Sequence, residues 1–145
     1  MSARENITKN IFDQLQNMTN PAPGLVSREF FEVSKIAITQ FPAILVNTLN
    51  ETRNDISTDL REGTMAIQLK CYVRGTQIDT LRNDIVERVE EIMEVSRDRD
   101  ITRAASNIHA VSTRISNIEV VERELPLGEV IITVEVKYQY VKGVL

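Results

Sequence analysis

Between Glu129 and Tyr140 the chain alternates. Val130, Ile132, Val134, Val136, Tyr138 and Tyr140 take one set of positions and Glu129, Thr133, Glu135, Lys137 and Gln139 the other, with only Ile131 breaking the polar series. Successive side chains of an extended backbone point to opposite faces, so the pattern predicts one long strand with a buried face and a wetter one. A strand of that length needs a sheet to lie in. Met65, Ile67, Leu69, Cys71 and Val73, interleaved with Ala66, Gln68, Lys70, Tyr72 and Arg74, predict a second strand of the same kind, ending at Gly75. Ile115, Ile118, Val120 and Val121 give strand character to residues 112–123, and Leu125-Pro126-Leu127-Gly128 turns that strand into the last one as a hairpin.

Helical spacing occurs twice. Ile7, Ile11, Phe12, Leu15 and Met18 predict a helix over about residues 3–18, with Ser2 and Glu5 spaced as a capping box and Asn20-Pro21-Ala22-Pro23-Gly24 as the stop. Ile78, Leu81, Ile85, Val89 and Ile92 predict an amphipathic helix over about 77–94, with Glu87, Arg88, Glu90 and Glu91 on its wet side. Residues 25–39 are rich in Val, Ile and Phe without clean alternation, which fits a strand, a pair of short strands or a short helix. After Pro42, the run Ala43-Ile44-Leu45-Val46 suits a buried strand. Residues 47–64 are polar, mixed in charge and nearly aperiodic, so they read as a long exposed loop or an extended hairpin arm; such length in a compact domain is uncommon unless it binds something. Ser96 to Asp100 forms a polar link, and 101–111 fits either a short helix or a loop. The fold class is α+β, with an antiparallel or mixed sheet of about four or five strands and two main helices packed on it, in a single domain spanning 1–145.

Composition narrows the function more than the fold. At 145 residues the chain is long enough to bury roughly two thirds of its unfolded surface, and 42% hydrophobic with 26% charged residues is ordinary globular usage. With 17 Lys+Arg against 21 Asp+Glu the net charge is −4, which supplies no positive field for nucleic acid or an anionic membrane. Aromatics at 5% and no Trp weaken base stacking as a mode of binding. The opening MSARENITKN lacks the apolar core of a signal peptide, and no apolar run approaches the roughly 20 residues of a membrane span, so the expected site of synthesis is a cytosol, with no membrane partner. Without a secretory signal, the Asn-x-Ser/Thr triplets at Asn6, Asn17 and Asn50 read as chance.

Candidate chemistry is sparse. The single cysteine, Cys71, lies in an alternating apolar run and reads as a buried, inert thiol. One histidine, His109, gives no nucleophile–base arrangement and no multi-histidine metal set. Asp98-Arg99-Asp100 offers two carboxylates that the interleaved arginines neutralise, and the five glycines form neither a GxGxxG nor a P-loop. The expectation is therefore no enzyme, no cofactor and no metal, which moves weight to binding and assembly. Arg53, Asp55, Asp59 and Arg61 on the polar arm, with Glu51 and Glu62 beside them, and Arg97, Arg99 and Arg103 on the charged link, form a mixed-sign pattern able to pair with a copy of itself or with a neighbouring subunit.

The order of parts resembles a known family. A helix beginning near residue 3, the Phe-Pro-Ala-Ile-Leu-Val segment at 41–46, a polar arm, an alternating strand at 65–73 leading into a helix at 77–94, and a hairpin closing on Leu-Pro-Leu-Gly at 125–128 together resemble the tail terminator proteins of tailed bacteriophages, minor tail proteins that cap the finished tube. The resemblance covers nearly the whole chain through its layout rather than through one motif. It implies a homohexameric ring on the head-proximal end of the tail tube that stops polymerisation and offers a platform for the neck. The implied partners are further copies of the chain, the tail tube protein, a neck or head-completion protein, and the sheath protein if the tail is contractile, with DNA passing through the lumen without specific binding. The implied location is the virion, with the host cytoplasm as the place of assembly. Two other readings stay open: another neck or tail-completion protein of the same particle, and, from a different class, a small α+β ligand-binding regulatory domain.

Overall fold

In a computed structural model, residues 3–29, 32–96 and 108–141 of the chain are described. Ten elements include α1 (Ala3–Gln16), β1 (Leu25–Ser27), β2 (Ala43–Asp55), β3 (Leu60–Arg74), α2 (Ile78–Glu90), β4 (Ile108–Val121) and β5 (Leu127–Val141). The five strands form one mixed sheet in the order β1-β2-β3-β5-β4. Only β1 and β2 pair in parallel; the other neighbours are antiparallel. This is the expected α+β architecture. The chain crosses from β3 through α2 to β4, leaves a gap one strand wide, and fills it with β5.

The alternating patterns became faces as physics requires. Met65, Ile67, Leu69, Cys71 and Val73 of β3, and Val130, Ile132, Val134, Val136, Tyr138 and Tyr140 of β5, are buried on one face. Ile7, Ile11 and Leu15 of α1 and Ile78, Ile85 and Val89 of α2 close that core from the helix side. Past α2 the backbone widens into a π-helical turn, Glu91–Ser96, and both Ile92 and Met93 are buried. A wider turn rotates the side-chain register, so two consecutive apolar residues can face the sheet.

Among the described residues the opposite face is covered only at one end, where Ile36, Ala43, Leu45 and Tyr72 form a second small core with Leu25, Val33 and Phe41 packed against it. That explains the unbroken Ala43–Val46 run: at this end β2 is apolar on both faces because both are covered. The segment 25–39 is thus one short strand followed by two short 3₁₀ turns, Val33–Lys35 and Ile38–Gln40. Arg28 ties its start to α1 through Glu5 at 2.5 Å, and this hydrogen bond holds the Glu5 carboxyl below its ordinary range.

The polar 47–64 segment is a hairpin. β2 runs out to Asp55 and β3 returns from Leu60, with residues 56–59 as the turn. It is not detached from the body, because β3 stays paired with β5 out to Leu60↔Val141. β4 is the strand whose outcome differs most from its pattern. Ile118 and Val120 pair with Ile132 and Val130 and so belong to the helix-bearing face, yet they are 44% and 54% exposed. α2 lies over β3 and β5, and the edge strand falls outside its cover.

Candidate assembly interface

A register shift between Thr48 and Glu51 puts one extra residue into β2. After it, Glu51, Arg53 and Asp55 oppose Met65, Gly63 and Arg61 on β3, which places them on the helix-bearing face, beyond the apolar core. Glu51 is the centre of what gathers there. Its side chain is only 5% exposed and it meets Arg53 Nε at 2.5 Å and Arg4 of α1 at 3.4 Å, while the Tyr138 hydroxyl of β5 donates to it. Arg4 also donates to the Leu49 carbonyl at 3.2 Å, inside the irregularity. A buried carboxylate held by two guanidinium groups and a phenol has acceptors and donors in balance.

The second layer of the cluster is aromatic and cationic. Tyr138 and Tyr140 stack with centroids 5.6 Å apart, the Arg53 guanidinium sits 5.4 Å from the Tyr140 centroid, and Arg61 Nε meets Asp55 at 3.0 Å. Both arginines are held more firmly protonated than usual, Arg53 by its hydrogen bond to Glu51 and Arg61 by its hydrogen bond to Asp55. The Tyr138 hydroxyl is pushed far up by burial, with the Glu51 hydrogen bond adding to it. Among the described residues the Tyr140 hydroxyl, buried in a residue 2% exposed, finds no hydrogen-bond partner of normal geometry, although the Arg61 guanidinium lies close enough to feel it.

Of the residues singled out from the sequence, Arg53, Asp55 and Arg61 come together here. Asp59 stands exposed in the hairpin turn, apart from them. Arg97, Arg99 and Arg103, like the proposed Ser2 cap and the Asp98–Asp100 triplet, lie outside the described residues. Arg4, Tyr138 and Tyr140 were missed as members of the site. One signal could have found part of it: Glu51, Arg53 and Asp55 recur at period two, as a strand face does, and two tyrosines at the apolar end of β5 bring hydroxyls that need partners.

The rest of the surface supplies edges. Among the described residues, no strand pairs with β2 beyond Leu45, where β1 ends its pairing, or with the outer side of β4. Part of the β4 edge is occupied, since Glu94 from the π-helical turn accepts the Ile115 N–H at 2.8 Å, next to a register shift at Ile115/Asn117. Such caps and bulges are how edges are kept from indiscriminate pairing. The stretch Asn117–Val121, with Ile118 and Val120 exposed, lies beyond that cap.

Among the described residues no three His, Cys, Asp or Glu side chains are grouped to hold a metal ion, and no helix is long and apolar enough to cross a membrane. No protein-family model matches the chain, and no curated protein matches it either.

Proposed function

We propose that this chain is a structural protein of a tailed phage particle, a tail terminator that closes into a homohexameric ring on the head-proximal end of the tail tube, ends its polymerisation and offers a platform for neck joining. One observation carries the ring. Among the described residues, β2 beyond Leu45 and β4 are open edges on opposite sides of one sheet, and three successive antiparallel pairings make them antiparallel to each other. Copies set side by side in the same orientation can therefore pair the edge of one with the opposite edge of the next, a heterologous contact that generates a ring when the rotation closes. The subunit number and the tube as partner come from the resemblance in layout. The acidic balance of the chain, −4, suits a lumen through which DNA must slide, because a basic lining would hold the phosphates.

Electron microscopy of a lysate in which this gene is disrupted in its parent phage tests the reading directly. Headless tails of excessive, uncontrolled length are the expected result. Tails of normal length that fail to join heads would transfer the chain to the neck, and normal infectious particles would overturn the assembly reading.

A further inference from the structure

The tyrosine pair at the hairpin has unequal company. Tyr138 donates its hydroxyl proton to Glu51. Tyr140, stacked beside it, has a guanidinium over its ring and another against its hydroxyl, and guanidinium groups donate without accepting. An acceptor-only oxyanion can satisfy a phenol proton and two arginines together, and its charge favours the guanidinium groups. Arg53 and Arg61 each use Nε on a carboxylate and are about one third exposed, at 37% and 34%, so their remaining donors are within reach of a partner.

The same chain carries a surface of the matching sign. Asp84 and Glu87 of α2 and Glu91 of the π-helical turn, with Asn20 and Arg88, line an open cleft of about 350 Å³. The one cation among the described residues that line it is already engaged: Arg88 donates to the Thr19 carbonyl at 2.8 Å and pairs with Glu91 at 2.9 Å. Asp84 and Glu87 are exposed and have no cationic partner among the described residues. Both surfaces lie on the helix-bearing side of the sheet, and among the described residues no ion pair joins one to the other within a copy.

The geometry points to a contact between copies in which Arg53 and Arg61 of one receive the Asp84 and Glu87 carboxylates of the next. It rests on the ring reading only in taking the partner to be a second copy. Being heterologous, it repeats around an assembly and leaves no patch unmatched once the ring closes.

Sedimentation velocity on the full chain, over a range of concentrations at low and high ionic strength, tests the contact. The wild type is expected to associate more strongly at low salt. Arg61→Asp and, separately, Glu87→Arg are each expected to weaken association by about tenfold or more, and the double variant with the charges exchanged is expected to recover most of it. Glu87 stands on the exposed side of α2, so its reversal reads the contact even where Arg61→Asp disturbs the hairpin. Association unchanged by Glu87→Arg, a double variant no better than the singles, or a wild type that stays monomeric at every concentration would each overturn the contact. The ring reading fails separately, on the tail lengths of the disrupted phage.

Discussion

The ring of Tyr138 occupies the space where a side chain at Gly63 would stand. A Cβ built on Gly63 would lie 2.7 Å from ring atoms Cε1 and Cζ, and the two residues are direct cross-strand partners on β3 and β5. A glycine inside a strand ordinarily weakens it; here it admits the ring that delivers a hydroxyl to Glu51. Gly63→Ala is expected to lower stability by about 1–3 kcal/mol through overpacking, read from urea unfolding midpoints. An unchanged midpoint would mean the ring can swing aside without cost.

Glu51 and its partners should respond unequally to deletion. Glu51→Ala leaves Arg4, Arg53 and the Tyr138 hydroxyl without their shared acceptor, which should cost about 2–4 kcal/mol. Tyr138→Phe removes one donor while two arginines remain on the carboxylate, so about 1 kcal/mol is expected. The reverse order would show that the phenol, not the arginines, holds Glu51 in place.

On the other face, Arg123 from the β4–β5 turn contacts Glu129 at 2.8 Å through Nε and 2.6 Å through Nη2, and its guanidinium lies 5.7 Å from the centroid of the Tyr72 ring. The Glu129 side chain is 4% exposed, so Arg123→Ala strands a buried carboxylate and should cost about 2 kcal/mol or more. Arg114→Ala, which breaks an exposed pair with Glu135, should stay within about 0.5 kcal/mol. Thermal melts of the two variants side by side decide it.

Alkaline solution should destabilise the fold. Burial, with a smaller push from Glu129, raises the Cys71 thiol to about 12, and burial first, then Glu51, raises Tyr138. In the unfolded chain these groups release protons near pH 8.5 and 10 respectively, roughly, while the folded chain keeps them. The unfolded state therefore binds fewer protons, and stability falls as pH rises, by at most about 1.4 kcal/mol per pH unit for each group. The decline should begin at roughly pH 8.5 with Cys71 and steepen above about 10 with Tyr138. Cys71→Ala should flatten the first part, and native protein should resist thiol reagents that label it at once in denaturant.

The uncovered end of β4 gives a prediction of opposite character. Ile118→Lys with Val120→Lys should change stability by no more than about 0.5 kcal/mol, because both side chains already face water, yet should reduce self-association of the wild type by adding charge to an open edge. Unaltered association would remove this stretch from the interface.

Much of this architecture was legible before folding. Val130 to Tyr140 and Met65 to Val73 alternate cleanly because each strand has one face on the helices, and Ile7, Ile11 and Leu15 recur at helical spacing because one side of α1 is covered. Residues 25–39 were less legible: Val33, Ile36 and Phe41 pack from short turns onto the far face of the sheet, and turns that short carry no period. Ile118 and Val120 were misleading in another way. They continue a core face by alternation, but whether a helix reaches over them depends on where α2 lies, not on β4.

What the amino-acid order determined by itself was the set of elements and the side of each that turns inward, since period and composition act within a few residues of one another. Tertiary structure alone decided that Glu51 of β2, Arg4 of α1 and Tyr138 of β5 would share one buried carboxylate, and that β2 and β4 would be left as the open edges. The reason is the range of the interactions. A strand's own pattern sets which face is apolar, whereas its neighbours, its register and its cover are set by pairings between segments as far apart as the 87 residues separating Tyr138 from Glu51, which no local period records.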